Sequence, residues 1–354
     1  MFSARISFYS TSAPSVGPYS GIIFMPNNTS PRIHAYPFSV TTGFGTKYAD
    51  PGTAIGSFSR TTRVNKTLTA VAATSDSNPF INAYAFSVST GFGTKYANPA
   101  TNPNAIQVGC DFNNAGTYVT SAGDGNGLIA YAWNNSTGFG TRYTLPSSPV
   151  GTGWSCWFNP TDTAVLRTDT TGFNPRFGVW AWSNSTQWGS KYADPSNFTN
   201  GSSQNANWHP AGTHIIVGNT DTSPYLALYP WSNSTGWGTR YADPSSLPNG
   251  TINGVNFNAT GTVAGGVRNN TTTWLYTFNN NTGFGTKYAD PSTSIQGAAQ
   301  FIHWTPDNAA VAIGSTSSPW IQIYAWNDST GFGAKYANPS TSPNGTVLDF
   351  DFST

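Results

Sequence analysis

Apolar positions in this chain come in short runs that alternate with polar ones, and the runs themselves recur. In the stretch ending at Tyr241, one run reaches Trp208 and turns through His209-Pro210-Ala211-Gly212-Thr213. A second run, 215–217, leads into the polar loop 219–224. A third, 225–231, alternates large and small residues and stops at Ser232-Asn233-Ser234. A fourth, 236–241, is broken by Ala242-Asp243-Pro244. Period-two runs bounded by Gly, Pro, Asn and Ser predict short antiparallel strands joined by tight turns. Four such strands make one propeller blade.

The phrase Thr-Gly-Phe-Gly-Thr-Lys-Tyr starts at Thr42 and returns, with small changes, at Thr90, Thr137, Thr186, Thr235, Thr282 and Thr330, every 47 to 49 residues. Repeats of that length signal solenoids, propellers or arrays. The second, third and fourth strands of the unit each occur seven times, but the first occurs six times inside the chain. Its seventh copy is the tail, 347–352, which parallels 106–112. The expectation is therefore an all-β, seven-bladed β-propeller of four-stranded blades, a single domain over 21–354, closed by the C-terminal strand completing the first blade. Such closure removes two free sheet edges. Residues 1–20 are left over and read as an N-terminal arm; a rival reading has 6–9 competing with the tail for the innermost place.

Alternation in the third strand puts Tyr36 and Phe38 on one face, and likewise Tyr84 with Phe86 and Tyr229 with Trp231. In the fourth strand it puts Phe44, Thr46 and Tyr48 together on one face. Buried between blades, each aromatic stabilises the ring by about 1.5–3 kcal/mol. The aromatic wealth is thus read as mainly structural.

Composition sharpens this picture. All 14 acidic residues are Asp, and 37 Gly and 24 Pro punctuate the chain, which disfavours helix and favours turns. A net charge of +1 with 8% charged residues lacks the basic excess of a nucleic-acid binder. No stretch reaches transmembrane-helix length, and no charged n-region with an apolar run marks a leader. Cys110 and Cys156 occupy equivalent places in successive repeats, so they are expected as buried free thiols rather than a bridge.

Candidate chemistry is sparse. The basic residue of the phrase (Lys47, Lys95, Arg142, Lys191, Arg240, Lys287, Lys335) forms a belt that either meets an acidic partner or, the preferred reading, protects each blade's edge. An Asp or Asn three positions later in most units partly neutralises it. His34, His209, His214 and His303 lack metal-site spacing, so no metal or cofactor is expected. Propeller glycosidases need paired acids in a pocket. Only Asp349 and Asp351, in the closing strand beside the central channel, could serve, and no enzyme is expected. Asn-x-Ser/Thr triplets such as Asn135-Ser136-Thr137 recur at one turn, where backbone geometry suffices to explain them. Departures from the repeat are the better places to look for binding. The loop after the second strand is long in the fourth unit, running from Arg167 to Arg176 with Asp169 and Phe173. Phe80, Tyr225 and Trp320 open the third strand in other units, expected at the same end of the ring. Simple loop drift is the competing explanation.

The units at 91–99, 257–262 and 318–327 resemble WD40-like repeats in virion proteins of tailed bacteriophages. The likeness covers 21–354, though no Trp-Asp or Gly-His pair marks the blades. It implies a non-enzymatic structural protein of the particle, on its surface, tail or fibre. The partners it implies are other virion proteins and a host-surface glycan, with neither nucleic acid nor membrane insertion. A carbohydrate-binding propeller lectin, with matching pockets in every blade, is the alternative.

Overall fold

The computed structural model describes residues 18–125, 127–144, 151–172, 174–198, 201–221 and 223–353. Among them are seven four-stranded antiparallel sheets and no helix. Six sheets are simple meanders in chain order. The first takes the order tail, Ser20–Pro26, Ile33–Ser39, Gly43–Phe44, with the tail strand Asp351–Phe352 innermost. Ile23 pairs with Phe352 and Phe24 with Asp351, so the expected closure is present. Ser353 completes it: its backbone N–H donates to Ile22 O at 2.8 Å, and its Oγ accepts from Ile22 N at 2.9 Å. The arm read at 1–20 lies outside the described residues except for its end, where Ser20 opens the first strand and Tyr19 is buried in the core.

Seven apolar clusters hold the sheets together, one at each blade junction. Blade 1 meets blade 2 through Phe24, Ala35, Val71 and Tyr84. The last junction joins Phe301 and Ile323 of blade 7 to Tyr36, Phe38, Val347 and Phe350 of blade 1. Large rings of one blade therefore face small aliphatic side chains of the next, as the alternation requires. Cys110 and Cys156 are free and buried, each in a different junction.

One expectation about the fourth strand needs correcting. Phe92 packs on Tyr84 and Phe86 of its own blade, but Tyr96 turns the other way, onto Trp133 of blade 3 at 5.0 Å. The cause is a β-bulge: Tyr84 pairs with Lys95 while Phe86 pairs with Phe92, so one extra residue reverses the alternation. The bulge frees the tyrosine to reach across the junction. Tyr96 Oη donates to Asn135 O, and Tyr48, Tyr192, Tyr241, Tyr288 and Tyr336 make the same bond to the third-to-fourth-strand turn of the next blade. At the junction of blades 3 and 4, Tyr118 supplies it instead, to Asn184 O at 2.8 Å.

The blades share one polarity. At the turn end lie the turns joining first to second and third to fourth strands. At the loop end lie the second-to-third-strand loops and the blade-to-blade connections. Each innermost strand inside the chain runs from loop end to turn end along the central channel.

Candidate functional site: the central channel

The innermost strands are where the seven blades differ most. Just before the last residue of each of those strands, the ring carries Arg63, Asp111, Trp157, Asn207, Asn256, His303 and Asp351. A β-strand places that position opposite the buried closing residue, so it lines the channel. Arg63 organises the set. Its Nη2 lies 2.8 Å from Asp349 Oδ2, with both side chains more than nine-tenths buried, and its Nη1 donates to Thr62 O. Its guanidinium sits 4.2 Å from the Trp157 ring centroid, and Trp157 stacks on Phe301 at 6.3 Å. This stack spans blades 2, 4 and 7. Arg63 and Trp157 line both cavities of the channel, about 60 Å³ toward the loop end and about 240 Å³ toward the turn end. The channel is therefore two vestibules.

Each channel acid has structural employment. Asp111 Oδ2 accepts from Phe158 N at 2.9 Å, and Asp351 Oδ2 accepts from Val64 N at 3.1 Å. Both satisfy the exposed edge of the neighbouring blade's innermost strand, where no further strand can pair. Asn207 and Asn256 extend the belt, with Asn207 Nδ2 donating to Asn256 Oδ1 and Asn256 Nδ2 to Ile302 O. Burial pushes the Asp111 carboxyl up to about 8 against the pull of Arg63, and Asp351 up to about 6 for the same reason. Burial also raises Asp349, opposed by its Arg63 partner. Desolvation works against the Arg63 charge, but Asp349, Asp351 and Asp111 outweigh it and hold the guanidinium charged. Burial keeps His303 neutral, down to about 3.

The sequence candidates are placed otherwise. Arg167 and Asp169 belong to the strand Ala164–Asp169 rather than to a loop, and both are fully buried as an ion pair. Their role is to anchor the blade, since Asp169 Oδ1 also accepts from Thr171 N and Asp169 O from Ser203 N. Arg176 donates to Thr170 O and so ties the loop to itself. Phe173 lies outside the described residues. Phe80, Tyr225 and Trp320 do share one loop-end position, half-buried, each with φ between +64° and +69°, and Arg32 takes the same conformation in blade 1. They stand in blades 2, 5 and 7. Tyr225 packs on the junction of blades 5 and 6, and Trp320 on that of 7 and 1, so they form no single patch.

The basic belt is largely paired within each unit: Lys47 with Asp50, Lys191 with Asp194 and Arg240 with Asp243, while Lys95 bonds Asn98. The triplet asparagines are engaged too. Asn135 Oδ1 accepts from Trp133 Nε1 at 2.8 Å and from Asn65 Nδ2 at 2.9 Å. Asn184 and Asn233 repeat the pattern.

Asp349 and Asp351 lie beside the channel as expected from the sequence, and Arg63, Asp111 and Trp157 join them unannounced by any motif. Aligning the units on the residue that ends each innermost strand would have put all of them in one column.

No family model and no curated protein matches this sequence. Solved structures do resemble it. A Bacteroides fragilis protein provisionally named a 6-phosphogluconolactonase aligns with a TM-score of 0.72 at 11% identity, over 96% of this chain and 99% of its own. A Bacteroides uniformis protein of the same provisional name gives 0.71 at 13% identity, over 94% and 99%. A Lactobacillus plantarum protein gives 0.70 at 14% identity, over 94% and 99%. At these identities the likeness establishes the propeller fold alone.

Proposed function

We propose that this chain is a non-catalytic binding and assembly propeller of a tailed-bacteriophage particle. In this reading it stands on the capsid surface, tail or fibre, joins other virion proteins and contacts a host-surface glycan. One observation carries the non-catalytic part. Each channel carboxylate already accepts from a guanidinium or a neighbouring backbone N–H, whereas glycoside chemistry needs two acids opposed across an open pocket. The repeat-borne residues are likewise spent on junctions, which suits a rigid module whose specificity lies where the blades differ. The virion part is supported by the repeat units at 91–99, 257–262 and 318–327.

Peptide mass spectrometry of purified particles, followed by immunogold labelling, tests the assignment. The expected result is the chain present at a defined site on the particle; particles lacking it would refute the reading. The names of the structural neighbours suggest the assay for the non-catalytic half. Purified protein should leave 6-phosphogluconolactone hydrolysis at the uncatalysed rate, and turnover would overturn it.

A further inference from the structure

We infer that the loop-end vestibule is a single binding site, one per ring, for the terminal unit of a neutral carbohydrate. This rests on, and narrows, the host-surface half of the reading above.

The wall of the vestibule is chemically unlike the rest of the molecule. Trp154, Asn253 and Gln300 lie within innermost strands and Arg60, Gln204 and Leu348 just ahead of theirs, all lining one cavity, and the corresponding place in blade 3 holds Val108. Trp154 is half-buried and offers an indole to the cavity. Three side-chain amides accompany it, each able to donate and accept. Two are held in place by the next blade or the local backbone: Asn253 Nδ2 donates to Ala299 O at 3.1 Å and Gln300 Nε2 to Ala298 O at 3.2 Å. These bonds leave the amide carbonyls as acceptors. Below them, Asn205 is more than nine-tenths buried on the same wall, and its Oδ1 has no hydrogen-bond partner. A buried amide oxygen left unpaired is destabilising, and a ligand hydroxyl would relieve that cost.

Charge selects the ligand class. Both guanidiniums of the vestibule are charge-paired: Arg60 grips Asp76 through two bonds of 2.7 and 2.8 Å, and Arg63 holds Asp349 at 2.8 Å. Arg63 Nε keeps a donor without a partner, but an anionic ligand would meet no net positive charge on this wall. A purely apolar ligand would strip water from the amides without replacing their bonds. A neutral polyol satisfies both conditions, with its C–H face on the indole and its hydroxyls on the amides. Arg60 also lies between Phe58 at 4.9 Å and Trp154 at 5.9 Å, which fixes the indole before binding. The cavity of about 60 Å³ has room for about two waters, so it admits the hydroxyl edge of a terminal sugar unit while the rest of the ring stays at the mouth beside Trp154.

The test is a glycan array probed with the full-length protein, presenting neutral hexose, N-acetylhexosamine and sialylated termini. Calorimetry with the methyl glycoside of the best terminus follows. The expected result is neutral-terminus binding at one site per chain. Trp154→Ala and Asn253→Ala should weaken it at least tenfold in protein that still unfolds cooperatively, while Phe80→Ala and Trp320→Ala bind as the parent does. Should Trp154→Ala fail to fold, Gln204→Ala and Asn253→Ala carry the comparison. An array without signal, preference for acidic termini, near-sevenfold stoichiometry or undiminished binding by the vestibule variants would overturn the site. Particles that contain the chain while the protein ignores sugars would sink this site and leave the virion reading standing.

Discussion

The outermost and innermost strands of the same blades obey different rules. In the outermost strand, five of the seven units show the same bulge, six the same cross-junction tyrosine and five the same basic residue with a partner three positions on. In the innermost strand, one column holds an arginine, two aspartates, two asparagines, a tryptophan and a histidine. The outer positions face an identical environment seven times over, so one solution serves all. The inner positions converge on a single axis, where seven copies of any one charge or bulky ring would collide. Convergence forces the blades apart in sequence, and the asymmetry creates a plug with two unlike vestibules.

The largest effect should come from breaking the closure. Val347, Phe350 and Phe352 are at most 1% exposed, and each buried side chain is worth about 1.5–3 kcal/mol. Deleting 347–353 should therefore remove a large part of a typical domain stability of about 5–15 kcal/mol. The expected outcome on a sizing column is loss of the parent's compact peak, and a deletion that melts like the parent would refute closure.

Next comes the inner column. Arg63→Met leaves buried carboxylates without their cation and should cost about 3–5 kcal/mol in urea denaturation. The cost should be larger at pH 8 than at pH 6.5, because Asp111 sheds its proton in that interval. The parent protein has a related pH dependence. An unfolded Asp titrates near about 3.9, so between there and about 8 the folded ring keeps a proton on Asp111 that the unfolded chain has lost. Stability therefore falls as pH rises through this window. Below about 6.5, neutral His303 and His214, held to about 3 and about 4, pull the opposite way. The clean measurement is thus the melting temperature at pH 6.5 and pH 8. Between them the parent should lose melting temperature relative to Asp111→Asn, in which only the rising histidine contribution remains.

The smallest effects should come from the outer strand, one unit at a time. Tyr192→Phe loses the 2.8 Å bond to Asn233 O and should cost about 0.5–1.5 kcal/mol. Lys191→Ala removes a half-exposed pair with Asp194 and should cost under about 1 kcal/mol. A cost for Lys191→Ala as large as that of Arg63→Met would erase the distinction between the two regions.

The ring, its blade count and its closure were legible because they follow from periodicity: strand-length runs, turn residues and a seventh copy supplied by the tail. The side-chain face of Tyr48, which packs on Phe86 of blade 2 rather than with Phe44, is not legible in the sequence, because a bulge needs a partner strand to be counted against and a single strand carries no such reference. The loop expected from Arg167 to Arg176 starts only after Asp169, because Arg167 and Asp169 pair with each other and so can be buried in the strand.

By itself, then, the sequence determined the repeating strands, turns and blade count, since these are set by residues close along the chain. Only the tertiary structure decided the channel. Arg63, Trp157, Phe301 and Asp349 are far apart in the chain, and no local rule relates them. Their chemistry exists because closing the ring brings seven innermost strands to one axis, where burial and proximity, rather than pattern, set charge and shape.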